Sequence, residues 1–244
     1  MSSADLHLLH LYPDVMNLYG DRGNVLTLQR RCAWRDIRLV VTSLGIGDEM
    51  PVLEPDLIFM GGDQDREQVT VAQDLQRHRD SIKKAVDRGT PLLAVCGGYQ
   101  LLQRFYRPAT GADLEGLGIF DAYTIHPGPG AIRCVGNIVV EWEGQTVVGF
   151  ENHGGRTYLE GDTEPLATVV VGQGNNGKDK TEGARVGNAF GTYIHGSLLP
   201  KNPSLADRLL KLAMQRKQPG FEPAPLDDSL ELRAHQSAVR QARA

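Results

Sequence analysis

The sequence predicts an α/β fold, in which helices cover both faces of a central, mostly parallel β-sheet and an antiparallel β extension follows. Three observations support this prediction. Short apolar stretches alternate with helical patterns through the first half of the chain, as expected of a parallel sheet. These stretches are apolar without alternation, as in strands that are buried on both faces. The second half instead mixes apolar with polar and turn residues, which indicates antiparallel strands.

The first half contains four predicted strands and two predicted helices. The strands are predicted over residues 6–11, 36–43, 55–62 and 91–96, and the helices over residues 25–34 and 68–88. Apolar residues recur at helical spacing in both helical stretches. Gly89 follows the second helix, at a position where a capping glycine is common. Because open parallel sheets bind ligands beyond the carboxyl ends of their strands, we expect a site at that edge.

The second half adds less regular elements. Antiparallel strands are predicted over residues 116–125, 135–142 and 146–151, a glycine-rich loop over 172–183, a strand over 189–196 and a helix over 204–217. A proline- and glycine-rich stretch near residue 220 resembles a linker. We therefore predict one domain over residues 1–218. Residues 219–244 are predicted to form a C-terminal tail, either an amphipathic helix or a segment that a partner orders.

Composition excludes several classes of protein. The 244 residues have a formal net charge of −4, which gives no reason to expect nucleic acid or an anionic membrane as partner. No apolar run approaches the roughly 18 residues of a membrane span, and the N-terminus lacks the features of a signal peptide. The three cysteines predict neither a disulfide framework nor a metal site. We therefore expect a cytoplasmic protein with reduced cysteines and no metal.

Cys96 stands at the end of the fourth predicted strand, where a helix begins at once. A lone cysteine is usually a small core residue. Here Gly97 and Gly98 follow directly, and so tight a turn needs small neighbours. The pattern is that of a nucleophile elbow with sulfur in place of oxygen. Because N–H groups at a helix start favour the thiolate, we predict that Cys96 is a nucleophile and that the Gly97 N–H binds the oxyanion.

A second glycine pair, Gly61 and Gly62, ends the third predicted strand. Glycine allows a backbone N–H to approach a substrate carbonyl closely. An ordinary strand–helix turn needs only one glycine, so the pair favours a site. We predict Gly62 as the second oxyanion donor and Gly61 as part of the substrate-binding wall.

A thiolate that transfers acyl groups needs a proton shuttle, and the chain has seven histidines. His195 ends an apolar strand and should therefore lie on the same edge of the sheet as Cys96. We predict that His195 is the catalytic base. His153, in "ENHGGR", is predicted to order its loop or to lie on the substrate side, and plain turn packing would also explain it.

Several separate motifs resemble the class I glutamine amidotransferase domain of the cobyric-acid-synthase type. These motifs are "AVCGGYQLL", "FMGGDQDREQ", "FENHGGRTY" and "GTYIHGSLLPKNP". Further motifs resemble the GatD-type glutaminase subunits within that family, namely "DVMNLYGDRGN", "LEGLGIFDAYT" and "GQGNNGKDKTEG". The resemblance covers roughly residues 5–225, and it implies a flavodoxin-like class I amidotransferase fold.

The resemblance also implies a function. Cys96 would attack the side-chain amide of L-glutamine, release ammonia and leave a glutamyl thioester that water hydrolyses. The ammonia would pass to a MurT-like Mur-ligase subunit, which would amidate the D-glutamate of lipid II to D-isoglutamine. This chain lacks the phosphate-binding motif G-x-x-x-x-G-K-[ST], so ATP and magnesium are expected on the partner and no cofactor in this chain.

Two residues are expected to bind the substrate. Arg133 aligns with the arginine that the family uses for this purpose, and a guanidinium can hold a carboxylate with two hydrogen bonds. Gln100 lies four residues after Cys96, one helical turn along. It is predicted either to face the pocket or to be a buried polar group of the helix.

One feature departs from the family pattern. Many class I amidotransferases have a glutamate two residues after the histidine, where this chain has Ser197. Either Cys96 and His195 act as a dyad, or another acid orients the imidazole. Asp21 and Glu151 are the candidates within the chain. An acid from the partner is the third alternative, and it predicts low glutaminase activity for the isolated chain.

Three other functions fit parts of this pattern. One is amidation of a corrinoid-type acceptor, although such enzymes usually have a synthetase domain ahead of this one. Another is hydrolysis of γ-glutamyl peptides without any partner. The last is a non-catalytic, cysteine-sensing module, which would require Cys96 but not His195.

Overall fold

The computed structural model describes residues 5–62, 65–195 and 198–244. The strands are β1 (Asp5–Leu11), β2 (Arg38–Leu44), β3 (Leu57–Met60), β4 (Leu92–Val95), β5 (Phe105–Arg107), β6 (Leu114–Glu115), β7 (Ala122–Ile125), β8 (Cys134–Trp142), β9 (Gln145–His153), β10 (Arg156–Leu159), β11 (Ala167–Val171), β12 (Thr181–Glu182), β13 (Ala184–Val186), β14 (Ala189–Thr192) and β15 (Ile194–His195). The helices are α1 (Arg22–Ala33), α2 (Asp65–Leu75), α3 (Arg79–Asp87), α4 (Gly97–Leu101), α5 (Leu198–Lys201), α6 (Pro203–Gln215) and α7 (Ser229–Arg243).

A six-stranded central sheet has the order β13-β14-β4-β3-β1-β2. Its strands run parallel from β14 to β2, and β13 pairs antiparallel with β14. Every residue of β3 and β4 is buried, as in a sheet that is covered on both faces. The carboxyl ends of these two strands lie side by side, so both glycine pairs come together at one edge of the sheet.

Two further sheets form the β extension, and only the larger one is antiparallel throughout. A five-stranded antiparallel sheet, β12-β11-β8-β9-β15, is built on the long hairpin of β8 and β9. A four-stranded mixed sheet has the order β10-β7-β5-β6. The chain passes from the central sheet into the five-stranded sheet between β14 and β15, so these two sheets meet beside the carboxyl end of β4.

The predicted fold class is confirmed, but two predicted elements are divided. The helix predicted over residues 68–88 forms α2 and α3, with a 3-10 turn at Gln76–His78 between them. Of the strand predicted over residues 189–196, the described part forms β14 and β15 in different sheets, and residue 196 lies outside the described residues. Tyr193 lies at that break, where its N–H donates to the Glu182 side chain instead of to a neighbouring strand.

The C-terminal segment contains α7, which packs against α5, β8 and β9. Arg31 of α1 is buried and links this segment to the domain, because it pairs with Asp207 of α6 and with Asp228 just before α7. Burial would lower the pKa of Arg31, but the two carboxylates raise it above its usual value. Among the described residues, no helix is long and apolar enough to cross a membrane.

Candidate active site

Cys96 occupies a strained turn between β4 and α4. Its φ of 49° and ψ of −106° lie outside the regions that side-chain-bearing residues normally adopt. Neighbouring strand ends hold this conformation, since the Cys96 N–H donates to the Thr192 carbonyl at 2.8 Å and the Gly98 N–H to the Gly61 carbonyl at 3.1 Å. A Cβ at Gly98 would lie 2.7 Å from the Gly61 oxygen, so only glycine permits this approach. The turn has the geometry of a nucleophile elbow.

His195 lies beside Cys96, although the two residues belong to different sheets. The Cys96 sulfur and the His195 imidazole interact electrostatically, and both side chains are buried. Gly62 packs against the pair, because a Cβ there would lie 2.8 Å from His195 Cε1 and 3.0 Å from Cys96 Cβ. The sequence-based expectation that His195 and Cys96 share one edge therefore agrees with their positions, which are set by the junction of the two sheets.

A buried carboxylate, Asp21, also faces His195 and lies immediately before α1. Its Oδ1 is 3.7 Å from His195 Nδ1, and both side chains are fully buried. Burial alone would lower the pKa of His195, but the Cys96 sulfur and the Asp21 carboxylate raise it to about 10. The surroundings therefore favour an imidazolium at neutral pH.

Glu151, the other candidate acid within the chain, is hydrogen-bonded to a different loop. Its two carboxylate oxygens accept the backbone N–H groups of Gln173 at 2.7 Å and of Gly174 at 2.9 Å. Its Oε2 also lies 3.8 Å from His153 Nε2. Because both oxygens hold this loop, the geometry favours Asp21 over Glu151 as the acid that orients His195.

The two predicted oxyanion donors differ in their present partners. Gly97 begins α4 directly after Cys96, where the predicted role requires it. The Gly62 N–H donates instead to Asp21 Oδ2 at 2.7 Å. A carboxylate is a strong acceptor, so the Gly62 N–H is unavailable to an oxyanion until this bond opens. In this conformation the predicted pair of donors is incomplete.

Gln100 lies one turn after the elbow, but its side-chain oxygen and nitrogen are both hydrogen-bonded to other side chains of the protein. Its Oε1 accepts from Gln68 at 2.8 Å, and its Nε2 donates to the Tyr193 hydroxyl at 3.1 Å. That hydroxyl is 2.7 Å from the Thr157 hydroxyl, which extends the network into the neighbouring sheet. These contacts favour the second of the two predicted roles, a buried polar group that fixes the helix, over a substrate contact.

His153 is buried against the same network. Its ring stacks on Tyr193 with the centroids 3.7 Å apart and the planes 10° from parallel. Its Nδ1 lies 2.9 Å from the Gly155 carbonyl oxygen. Burial lowers the pKa of His153, although Glu151 opposes this shift, so the neutral ring is favoured. These contacts suit the loop-ordering role among the predicted alternatives.

Arg133 is exposed on the loop that precedes β8. Its Nε donates to the Asn152 side-chain oxygen at 3.0 Å, and a terminal nitrogen donates to the Asn152 carbonyl at 3.3 Å. A Cβ at Gly154 would lie 3.2 Å from the other terminal nitrogen. The guanidinium thus lies over the 152–154 loop, next to His153, where its planar edge suits a carboxylate.

The other two cysteines have different surroundings. Cys32 and Cys134 are buried and form no disulfide. Burial raises the pKa of Cys32 to about 12 and also raises that of Cys134, so both thiols stay neutral and unreactive. Within the described ranges, no cluster of histidine, cysteine and carboxylate side chains could hold a metal ion.

The sequence prediction missed Glu182, a fully buried carboxylate in β12. It follows the polar stretch "GQGNNGKDK", so the pattern indicated a solvated loop. The following glycine, Gly183, offered a signal, because glycine in or beside a strand often marks a close approach of another backbone. A Cβ at Gly183 would indeed lie 2.2 Å from the Gly191 carbonyl oxygen.

The fold is that of a class I glutamine amidotransferase. The sequence matches the model of the CobB/CobQ-like glutamine amidotransferase domain over residues 7–203. The chain belongs to this family, as its motifs predict.

Curated relatives extend this match. The chain is 41% identical to the lipid II isoglutaminyl synthase (glutamine-hydrolyzing) subunit GatD of Staphylococcus aureus, over 98% of this chain and 96% of that protein. It is 39% identical to the subunit of the same name from Streptococcus pneumoniae, over 87% of this chain and 82% of that protein. The cobyric acid synthase of Pelotomaculum thermopropionicum is 32% identical over 62% of this chain, which spans only 31% of that longer protein.

Solved structures support the fold. A crystal structure of a glutamine amidotransferase superposes with a TM-score of 0.59 at 18% identity, over 84% of this chain and 98% of that one. A glutamine amidotransferase from Thermotoga maritima superposes with a TM-score of 0.55 at 15% identity, over 98% of this chain and 92% of that one. At such low identity these likenesses concern the fold alone, and they confirm the predicted class I fold.

Proposed function

We propose that this chain is the glutaminase subunit of a lipid II isoglutaminyl synthase. It hydrolyses L-glutamine and passes the ammonia to a MurT-like Mur ligase, which amidates the D-glutamate of lipid II to D-isoglutamine. The near full-length match to two subunits that bear this name is the observation that supports the proposal most directly. The complex works in the cytoplasm, and the partner binds ATP and magnesium.

The first chemical step is attack by Cys96. Its thiolate adds to the side-chain amide carbon of glutamine and forms a tetrahedral oxyanion. The Gly97 N–H stabilises that oxyanion, and the Gly62 N–H becomes a second donor once its bond to Asp21 opens. Arg133 holds the α-carboxylate of the substrate.

His195 moves the proton in both halves of the reaction. Its imidazolium protonates the amide nitrogen as the carbon–nitrogen bond breaks, so ammonia leaves and a glutamyl thioester remains. The neutral imidazole then takes a proton from water, whose oxygen attacks the thioester carbon and releases glutamate. The Cys96 thiolate and the imidazolium are restored. Asp21 orients the ring through Nδ1, so the chain contains an acid in position to complete a triad.

The proposal is tested by measuring glutamate release and lipid II amidation, with and without the Mur-ligase-like protein from the same genome. Glutamate release should be lost in both Cys96→Ser and His195→Ala. Amidation from glutamine should require Cys96, the partner and ATP together. Dependence of glutamate release on Cys96 but not on His195 would instead support the cysteine-sensing alternative.

Ammonium chloride provides the matched control. When it replaces glutamine, the partner should amidate lipid II even with the Cys96→Ser chain, because only the supply of ammonia is lost. Amidation from glutamine by the Cys96→Ser complex would contradict the proposal. So would full glutamate release with no lipid II amidation in the presence of partner and ATP.

A further inference from the structure

Glu182 is a fully buried carboxylate with no part in the chemistry above. Its Oε1 accepts the Tyr193 backbone N–H at 2.7 Å and the Thr192 hydroxyl at 3.0 Å. The Thr192 hydroxyl oxygen in turn accepts the Ile194 N–H at 3.0 Å. One carboxylate oxygen and one hydroxyl therefore satisfy two consecutive N–H groups, at the point where the chain leaves the central sheet.

This crossover between sheets also sets how the two reacting side chains meet. The Thr192 carbonyl accepts the Cys96 N–H at 2.8 Å, so the last residue of β14 supports the elbow. His195 lies three residues further along, on β15, which pairs with β9. Tyr193 stands between them and belongs to neither strand. Glu182 supplies the hydrogen bond that strand pairing does not provide there.

We propose that Glu182 is a positioning residue, which holds the 192–194 crossover so that His195 stays beside Cys96. It acts through the backbone and touches neither the substrate nor the reacting atoms. The inference rests on the Cys96–His195 chemistry of the proposed function and adds a residue to it from outside the reacting groups.

The buried surroundings of Glu182 disfavour its charged form and therefore cost folding free energy. Its Oε2 and the Trp142 indole N–H lack hydrogen-bond partners within the part of the chain that the structure describes, and both residues line a small, largely apolar void. Burial raises the pKa of Glu182 to about 7, and the nearby Glu151 charge acts in the same direction. The hydrogen bonds from Tyr193 and Thr192 lower this pKa but do not outweigh burial. Buried acids with shifted pKa values concentrate at functional sites, which suits a role at this crossover.

Alkylation of Cys96 by iodoacetamide, followed by mass spectrometry, tests the inference without any glutamine turnover. Glu182→Leu removes the acceptor, so the crossover should loosen and the imidazolium should stabilise the thiolate less well. We expect the pH profile of Cys96 alkylation to move at least one unit higher. The kcat for glutamine should fall at least tenfold, with KM changed less than threefold. Glu182→Gln keeps an oxygen acceptor and should remain within threefold of wild type.

Asp56 offers a matched control at the opposite end of the sheet. It is a buried carboxylate that precedes β3 and accepts the His7 N–H at 2.8 Å. Asp56→Leu should lower stability without moving the alkylation profile. A folded Glu182→Leu chain whose profile coincides with that of wild type would overturn the inference.

A second variant decides the matter if Glu182→Leu does not fold. Thr192→Val removes the hydroxyl that joins Glu182 to Ile194, and it should move the profile in the same direction with a loss in rate of about threefold. An unchanged profile would reject the positioning role. Unreactive Cys96 in the wild-type chain would overturn the proposed chemistry as well, whereas reactive wild-type Cys96 with unaffected variants would overturn the positioning role alone.

Discussion

Three buried side chains lie together at the candidate site: those of Cys96, His195 and Asp21. Asp21 acts on two parts of the site at once. Its Oδ1 faces His195, and its Oδ2 accepts the Gly62 N–H. A single residue therefore influences both the charge of the imidazole and the direction of a predicted oxyanion donor.

Asp21→Asn tests this double role. The variant keeps an oxygen for the Gly62 N–H but removes the charge that helps to raise the pKa of His195 to about 10. We expect that pKa to fall, so the imidazolium is lost at a lower pH. The glutaminase kcat should fall roughly 10- to 100-fold, in the range usual for acid–base groups. NMR titration of the His195 ring and steady-state kinetics measure the two effects.

Glu151→Gln is the control for that variant. Its amide still has one oxygen for the 173–174 loop, and we expect the His195 titration to stay as in wild type. If Glu151→Gln moved this titration and Asp21→Asn did not, the assignment of the orienting acid would be wrong.

Gly62→Ala should disrupt the site by steric contact alone. The new methyl group would lie 2.8 Å from His195 Cε1 and 3.0 Å from Cys96 Cβ, closer than ordinary contacts allow. Because small displacements of reacting groups are costly, we expect glutaminase kcat to fall about 100-fold or more. Gly45→Ala, which would meet only the exposed Asp48 side chain, should retain wild-type activity. Equal activity in both variants would refute the expectation.

At the scale of the elements, the division of one predicted strand into β14 and β15 is the feature that brings His195 beside Cys96. β14 continues the central sheet beside β4, and β15 begins the edge of the five-stranded sheet. Because the strand breaks at Tyr193, the chain can contribute one strand to each sheet. The Glu182 carboxylate accepts the Tyr193 backbone N–H at this break. The same carboxyl should therefore affect stability as well as reactivity.

Glu182→Gln should change the pH dependence of stability. The pKa of Glu182 is raised from 4.5 to about 7 in the folded protein, so its ionisation opposes folding as pH rises through that window. Glutamine does not ionise, so the free energy of unfolding of the variant should rise relative to that of wild type between pH 5 and pH 8. Each pKa unit is worth about 1.4 kcal/mol, so the gain is at most about 3 kcal/mol. Urea unfolding at both pH values measures it.

Three other titratable residues lie around Glu182. Glu151 lies on β9, Tyr99 on α4 and Tyr193 at the crossover. Neither tyrosine titrates in this range, because burial raises the pKa of both above the usual value. A stability difference that stays constant from pH 5 to pH 8 would contradict the expected shift.

At the scale of the whole molecule, one buried arginine ties distant parts of the chain together. Arg31 bonds to Asp207 and Asp228, and so it joins α1, α6 and the start of the C-terminal helix. These ion pairs therefore add to the packing contacts of the segment predicted as a tail, in which α7 has no buried residues.

Arg31→Met should lower the free energy of unfolding by about 2 to 3 kcal/mol. Removing one member of a buried pair usually costs about 3 to 5 kcal/mol, and we expect less here because water still reaches the two carboxylates. Arg38→Met is the matched control, since its pair with Asp5 is exposed and should contribute less than about 1 kcal/mol. Denaturant unfolding compares the two variants. Equal losses would refute the special role of Arg31.

Much of the site could be predicted from local sequence. A strand that ends in Cys96 and two glycines requires a tight turn, and turn geometry depends on residues that are neighbours in sequence. The apolar strand before His195 similarly predicted its edge of the sheet. Gln100 was harder, because its partners Gln68 and Tyr193 are 32 and 93 residues away and no local pattern indicates them.

The sequence by itself determined the fold class, the tight turn at Cys96 and the position of His195 at the same edge of the sheet, since these depend on apolar periodicity, glycine placement and order along the chain. Only the tertiary structure decided which acid faces His195, because the sequence alone does not distinguish Asp21 from Glu151 as the neighbour of the imidazole. It also revealed the bond from Gly62 to Asp21 and the burial of Glu182 within a polar stretch. Hydrogen bonds between residues far apart in sequence form only when separate sheets are packed together, so local patterns do not encode them.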